Sequence, residues 1–305
     1  MIPASHWLIC VFATAYVVSL ILEATRLSFR LPVRTMVLTA VTVVGVATHS
    51  AYIGALFYAG GQTGPWGSWH LWCVLAAWLL SVVYLALLIR SPRREYGIFI
   101  LPFDLALIVA ASIIPPRKAI DADSTATLLG GTHGLILLAA TVVMLLGAAA
   151  GVMYLYQSWR LKRALRPLSG PMLPSLEGLQ RASERSIVAS GGLLVAGLVS
   201  GIAHSLARYG TVDPGDPVII LSGVLAAVDV VAIVAGLVWR PARQGWRVAA
   251  LTLVNVTLLG CVITLALTTR HGLATHSYDN VADATDGHPA EDSDHSLAAG
   301  PEAGR

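Results

Sequence analysis

The sequence predicts an all-α protein, a polytopic membrane helix bundle of about eight transmembrane helices with both termini outside. Three observations predict it. Hydrophobic residues make up 56% of the 305-residue chain and charged ones only 12%, where a soluble domain carries nearer 25% charge; the mean hydropathy is +0.72. The apolar residues fall into eight runs of membrane-crossing length, and basic residues collect in every second loop between them.

The first run, from His6 to Leu22, has no positive segment before it and its arginines follow it. That is the pattern of a retained span with its N-terminus outside, not of a cleaved leader. Further spans are expected at 35–59, 69–90 and 96–114. The fifth, 132–158, lies within "GGTHGLILLAATVVMLLGAAAGVMYLYQSWRLKR". About 25 helical residues at 1.5 Å each cross a bilayer core of roughly 30 Å. The last three are expected at 187–208, 218–239 and 248–269. In the loop before the sixth span, Pro174 is expected to start a short surface helix through "SLEGLQRASERS". The tail from Arg270 is polar, acidic and poor in aromatics, a composition that does not bury a core. The expected organisation is a membrane domain over 1–269, with a basic cytoplasmic loop at 160–186, and an external tail over 270–305.

Fifteen of the 20 Lys and Arg residues fall on one side: Arg26, Arg30 and Arg34; Arg90, Arg93 and Arg94; Arg160 to Arg185; and Arg240, Arg243 and Arg247. That side is cytoplasmic by the positive-inside rule. Trp7, Trp66, Trp69 and Trp72 mark the outer boundary, and Trp159, Trp239 and Trp246 the inner one. Gly147xxxGly151 and Gly197xxxGly201 are expected to let helices approach closely. Cys10, Cys73 and Cys261 stand singly in apolar runs, so there is no CxxC redox motif, zinc knuckle or covalent haem site. The basic residues lie in short loops between spans, which gives no surface for nucleic acid.

None of the nine histidines lies on the cytoplasmic side. His6, His70, His133 and His204 open or close spans on the outer side, His271, His276, His288 and His295 lie in the tail, and His49 lies near mid-membrane. Neutral imidazole ligates metals, haem iron included, although a histidine at a helix end is more often an interfacial polar residue. Asp104 and Asp229 also fall near the midplane, where a charge costs about 2.5–3.5 kcal/mol on insertion scales and such residues find partners inside the bundle. Either they hold helices in register or, with His49, they line an ion or proton path.

Three blocks carry a family resemblance: "THGLILLAATVVMLLGAAAGVMYLYQSWRLKR", "LPSLEGLQRASERSIVASGGLLVAGLVSGI" and "QGWRVAALTLVNVTLLGCVITLAL". They resemble the cytochrome c assembly family, which covers haem-handling membrane proteins of the CcsA type and shorter HemX-like relatives. The resemblance implies haem b bound non-covalently by histidines at the outer face, on the positions of His133 in "GTHGL" and His276 in "GLATHSY", these two being its implied axial ligands. It also maps His49 in "VATHSAY" onto a second-span histidine of HemX-like relatives. His70, His204 and Asp213 complete the expected haem-binding set. The chain departs from the family in "ARYGTVDPGDP", which keeps Gly210, Asp213 and Pro214 but contains no tryptophan.

The resemblance implies a bacterial cytoplasmic-membrane protein that supports cytochrome c biogenesis, beside a CcsB/ResB-type partner and an apocytochrome c, within membrane lipid. The alternative is a HemX-like regulator or scaffold linked to haem biosynthesis that does not itself deliver haem. No nucleophile–base motif, phosphate loop or zinc signature points to an enzyme. A transporter using Asp104, Asp229 and His49 ranks last, because no inverted repeat with broken helices is evident.

Overall fold

The computed structural model describes residues 3–25, 32–60, 68–113, 128–163, 172–212, 214–238 and 245–268. These form eight helices: α1 (Pro3–Thr25), α2 (Pro32–Gly60), α3 (Trp69–Arg90), α4 (Gly97–Ile113), α5 (Leu128–Lys162), α6 (Leu176–Tyr209), α7 (Pro217–Val238) and α8 (Gly245–Thr268). Among the described residues there is no strand. The protein is a multi-pass helical membrane bundle: seven of the helices are long and apolar enough to cross a bilayer. The eighth, α4, is apolar but has 17 residues, about 25 Å of helix, at the lower end of the spanning range.

Neighbours in sequence are neighbours in space, and the bundle is built from two rings of four. In the first, α1 packs on α2, α2 on α3, α3 on α4, and α4 closes back onto α1. In the second, α5 packs on α6, α6 on α7, α7 on α8, and α8 closes onto α5. The rings meet where α5 lies against α3 and α4. This makes α5 the central helix: over its most apolar stretch 56% of residues are buried, against 22–39% in the other six long helices.

In lipid no hydrophobic force brings two apolar helices together, so small residues and close packing must do so. The buried run Ala148, Ala149 and Ala150 of α5 supplies them. A Cβ at Gly147 would collide with Ser186 of α6, and one at Gly151 with Thr252 and the Ala249 carbonyl of α8. The Gly147–Gly151 pair therefore fits two partners at once. Gly197 and Gly201 of α6 receive Leu137 and His133 of α5 in the same way.

The helix expected after Pro174 is present, starting at Leu176, but it is not short: α6 runs on unbroken into the span. Ser175 caps its start by accepting the Gly178 amide at 3.2 Å, and Glu177 favours the positive end of the helix and pairs with Arg181 one turn on. Leu179, Ser183, Ile187 and Ser190 are all buried. That stripe, spaced by three and four residues, continues straight into the span. At the other end Gly210 adopts φ 70°, and its amide closes on Leu206 O; a side chain would be strained in this left-handed cap.

Candidate functional site

His133 sits in the seam between α5 and α6, near the end of the bundle away from the basic loops. Its Nδ1 lies 2.9 Å from Gly197 O and 3.1 Å from Ser200 Oγ. A carbonyl only accepts, so Nδ1 carries the proton and the lone pair is on Nε2. The ring packs against Gly201, where a Cβ would come within 2.8 Å of Cε1. Gly197, Gly201 and His204 are spaced i, i+4, i+7 on α6 and share one face. His204, half-buried, thus stands one turn further out on the stripe that receives the His133 ring.

Trp72 adds a feature that the sequence reading missed. The sequence places it first in the interfacial belt, and its indole lies over Gly134, whose Cβ would come 2.6 Å from the ring. An aromatic plate from the first ring of helices therefore covers the α5 turn that carries His133. Only tertiary packing brings α3 onto α5, so no local signal could have revealed it.

His70 belongs to the first ring. Its Nδ1 donates to Ala111 O at 2.7 Å, and its Nε2 accepts from the Tyr52 hydroxyl at 2.7 Å, so both ring nitrogens are occupied. His49 is fully buried, stacked on Phe12 with ring centroids 4.1 Å apart. Its Nδ1 shares a hydrogen bond with the Tyr16 hydroxyl at 3.2 Å. Its Nε2 has no partner at hydrogen-bond geometry, with the Val74 backbone alongside.

The two mid-membrane aspartates lie in different rings. Asp229 on α7 accepts from Ser190 of α6 at 3.1 Å and from Asn255 of α8, which ties three helices together. Asp104 on α4 accepts at Oδ1 from Ser81 of α3 at 3.0 Å, while its Oδ2 is buried without a partner. The arrangement does not gather His49, Asp104 and Asp229 into one path.

His276 and Asp213 lie outside the described residues, as do the other tail histidines, Trp66 and Trp239. Next to Asp213, Asp216 has a capping role: its carboxylate accepts the Val218 amide at 2.8 Å, and Pro217 fills the first position of α7. Among the described residues no group of three His, Cys, Asp or Glu side chains converges as a metal site. No protein family, curated protein or solved structure matches the chain. The resemblance to the cytochrome c assembly family thus stands on the quoted residues alone.

The donor chemistry at His133 does fit an axial ligand to iron. Metal-ligating histidines commonly donate their other ring N–H to a backbone carbonyl, which fixes the tautomer and the ring plane. The Gly197 carbonyl does this to His133.

Proposed function

We propose that this protein binds haem b at the outer face of a bacterial cytoplasmic membrane, in support of cytochrome c maturation, with eight spans and both termini outside. The observation that carries the reading is the His133 ring, oriented in the α5–α6 seam through Nδ1 by Gly197 O and Ser200 Oγ. His276 is its proposed partner ligand from the tail. His204, on the neighbouring stripe, and Trp72, over Gly134, contribute walls to the same end of the bundle. Haem, when bound, supplies the iron centre and the flat apolar surface. The chain's own part is to orient one imidazole, to line the site with apolar side chains and to keep the second quartet closed beneath it. An apocytochrome c and a CcsB/ResB-type subunit are the proposed partners.

The visible absorption spectrum of the detergent-purified protein tests this. A spectrum of haem held by two histidines is expected, weakened by His133→Ala or His276→Ala. Protein that carries no haem and takes up none when supplied refutes the proposal.

The lack of tryptophan between Ala207 and Pro217, together with the capping role of Asp216, favours a second reading: a HemX-like regulator of haem synthesis. Deletion separates the two. Loss of c-type cytochromes supports the first, and altered haem-precursor levels with intact cytochromes the second.

A further inference from the structure

Several arginines on the basic side of the bundle are taken up by the protein itself. Arg34 donates to the Thr25 carbonyl at 3.0 Å, and Arg181 pairs with Glu177. Arg163 and Arg247 stand over the rings of Trp159 and Trp246, at 4.7 and 5.5 Å from their centroids. Arg90, Arg93 and Arg94, at the turn from α3 to α4, are different. All three are exposed, and among the described residues no carboxylate pairs with any of them. Of the three, Arg94 has a side-chain partner, the Tyr96 hydroxyl, to which its Nη1 donates at 3.2 Å.

The backbone beneath these side chains is tied down. The Ser91 amide closes α3 on Leu87 O at 2.9 Å, and the Arg94 amide turns back to Ser91 O at 3.0 Å. The Glu95 amide bonds Met172 O, ahead of α6, at 3.1 Å. Glu95, Tyr96 and Gly97 are buried, and the Pro92 ring fixes its own φ. The turn thus holds its guanidinium groups around an open cleft of about 440 Å³, lined by Arg90, Ser91, Pro92, Arg93 and Arg94. That volume lies inside the range of roughly 300–1,000 Å³ found for small-ligand sites. A loop ordered beforehand spares the ordering cost that binding otherwise carries.

Below the cleft the surface turns apolar. Ala86, Ile89 and Arg90 are exposed and spaced i, i+3, i+4, so they share one face of α3. Ile89 is 62% exposed. This face offers hydrocarbon contact along the helix and a cation at its end, which is the two-part chemistry of an amphiphile with an anionic head. Like charges crowded into five residues repel one another, and a bound anion relieves that. The guanidinium fork matches two phosphate oxygens at once, which an ammonium does not.

We propose that the α3–α4 turn is a headgroup site for an anionic phospholipid of the phosphatidylglycerol type. Arg90 and Arg93 hold the phosphate diester, Arg94 closes the edge of the cleft from its anchor on Tyr96, and an acyl chain lies along Ala86 and Ile89. A soluble phosphate ester shares the headgroup chemistry but not the chain. The site stands at the end of α3 away from Trp72 and His133, and uses none of the residues proposed to hold haem.

Native mass spectrometry of the full-length protein, released from micelles with equal amounts of phosphatidylglycerol and phosphatidylcholine, tests the site. The two lipids carry the same chains, so the ratio retained reads the headgroup alone. Wild type is expected to keep phosphatidylglycerol over phosphatidylcholine by about tenfold or more, since each basic residue near an anionic lipid contributes about fivefold. Replacing both Arg90→Gln and Arg93→Gln brings the ratio close to one. Arg181→Gln, which removes a charge elsewhere on the same side, leaves it unchanged, and excess glycerol 3-phosphate does not displace the lipid. Arg90 and Arg93 bond no other described side chain, so the double variant is expected to unfold at the wild-type temperature. No preference in wild type, or an undiminished one in the folded double variant, overturns the proposal. So does an equal loss in Arg181→Gln, which would mean surface charge without a site, or displacement by glycerol 3-phosphate, which would mean a site for a soluble ester.

Discussion

Single residues in this bundle divide by whether their neighbours can move. Gly151 and Gly192 show the contrast. A Cβ on Gly151 meets the Ala249 backbone carbonyl at 2.9 Å, a neighbour that cannot rotate away, whereas one on Gly192 meets nothing within 4 Å. Gly151→Ala is therefore expected to destabilise the protein by about 1–3 kcal/mol, the usual cost of overpacking. Gly192→Ala should be neutral or stabilise it by up to about 1 kcal/mol, through helix propensity. Unfolding of both variants in mixed micelles measures the pair, and equal effects would contradict the packing described for α5 and α8. The residue scale is also where the sequence was least legible. The histidine positions could be read from the letters, but their partners could not. His70, His133 and His49 look alike in sequence; one has both nitrogens occupied, one is oriented by a carbonyl, and one is stacked on Phe12.

At the scale of elements, polar side chains act as ties between helices. Asp229 is the clearest case, joining α7 to α6 through Ser190 and to α8 through Asn255. Interhelical hydrogen bonds in membranes average about 0.6 kcal/mol each. Asp229→Ala, which also leaves Asn255 short of a partner, should thus cost about 1–2 kcal/mol. Denaturant titration of the purified variant checks this; an unchanged midpoint would mean that the tie carries no load. Helix positions themselves were largely legible, since apolar runs of spanning length have few other solutions in lipid. The exception, α6, began eleven residues early. Its first three turns are polar on one side, so hydropathy alone reads them as a loop. The buried stripe from Leu179 to Ser190, which makes them one helix with the span, is a period rather than an average.

For the whole molecule, the arginines predict the orientation. Single cysteines placed at Ser91, between α3 and α4, and at Thr211, between α6 and α7, in a chain cleared of its native cysteines, should label from opposite sides. Membrane-impermeant reagents should reach Thr211 in intact cells and Ser91 only after permeabilisation. Labelling of both from one side would break the eight-span topology and with it the proposed placement of the termini. By itself the sequence determined an all-helical membrane bundle, the order of its spans and the side on which its basic residues gather. Those properties depend on composition and on local periods, because an unpaired backbone in lipid leaves the chain few alternatives. Only the tertiary structure decided that the helices form two closed rings joined by α5, and that Asp104 and Asp229 belong to different rings. Such pairings depend on which faces meet across tens of residues, and close packing of small side chains settles that only when the whole bundle has formed.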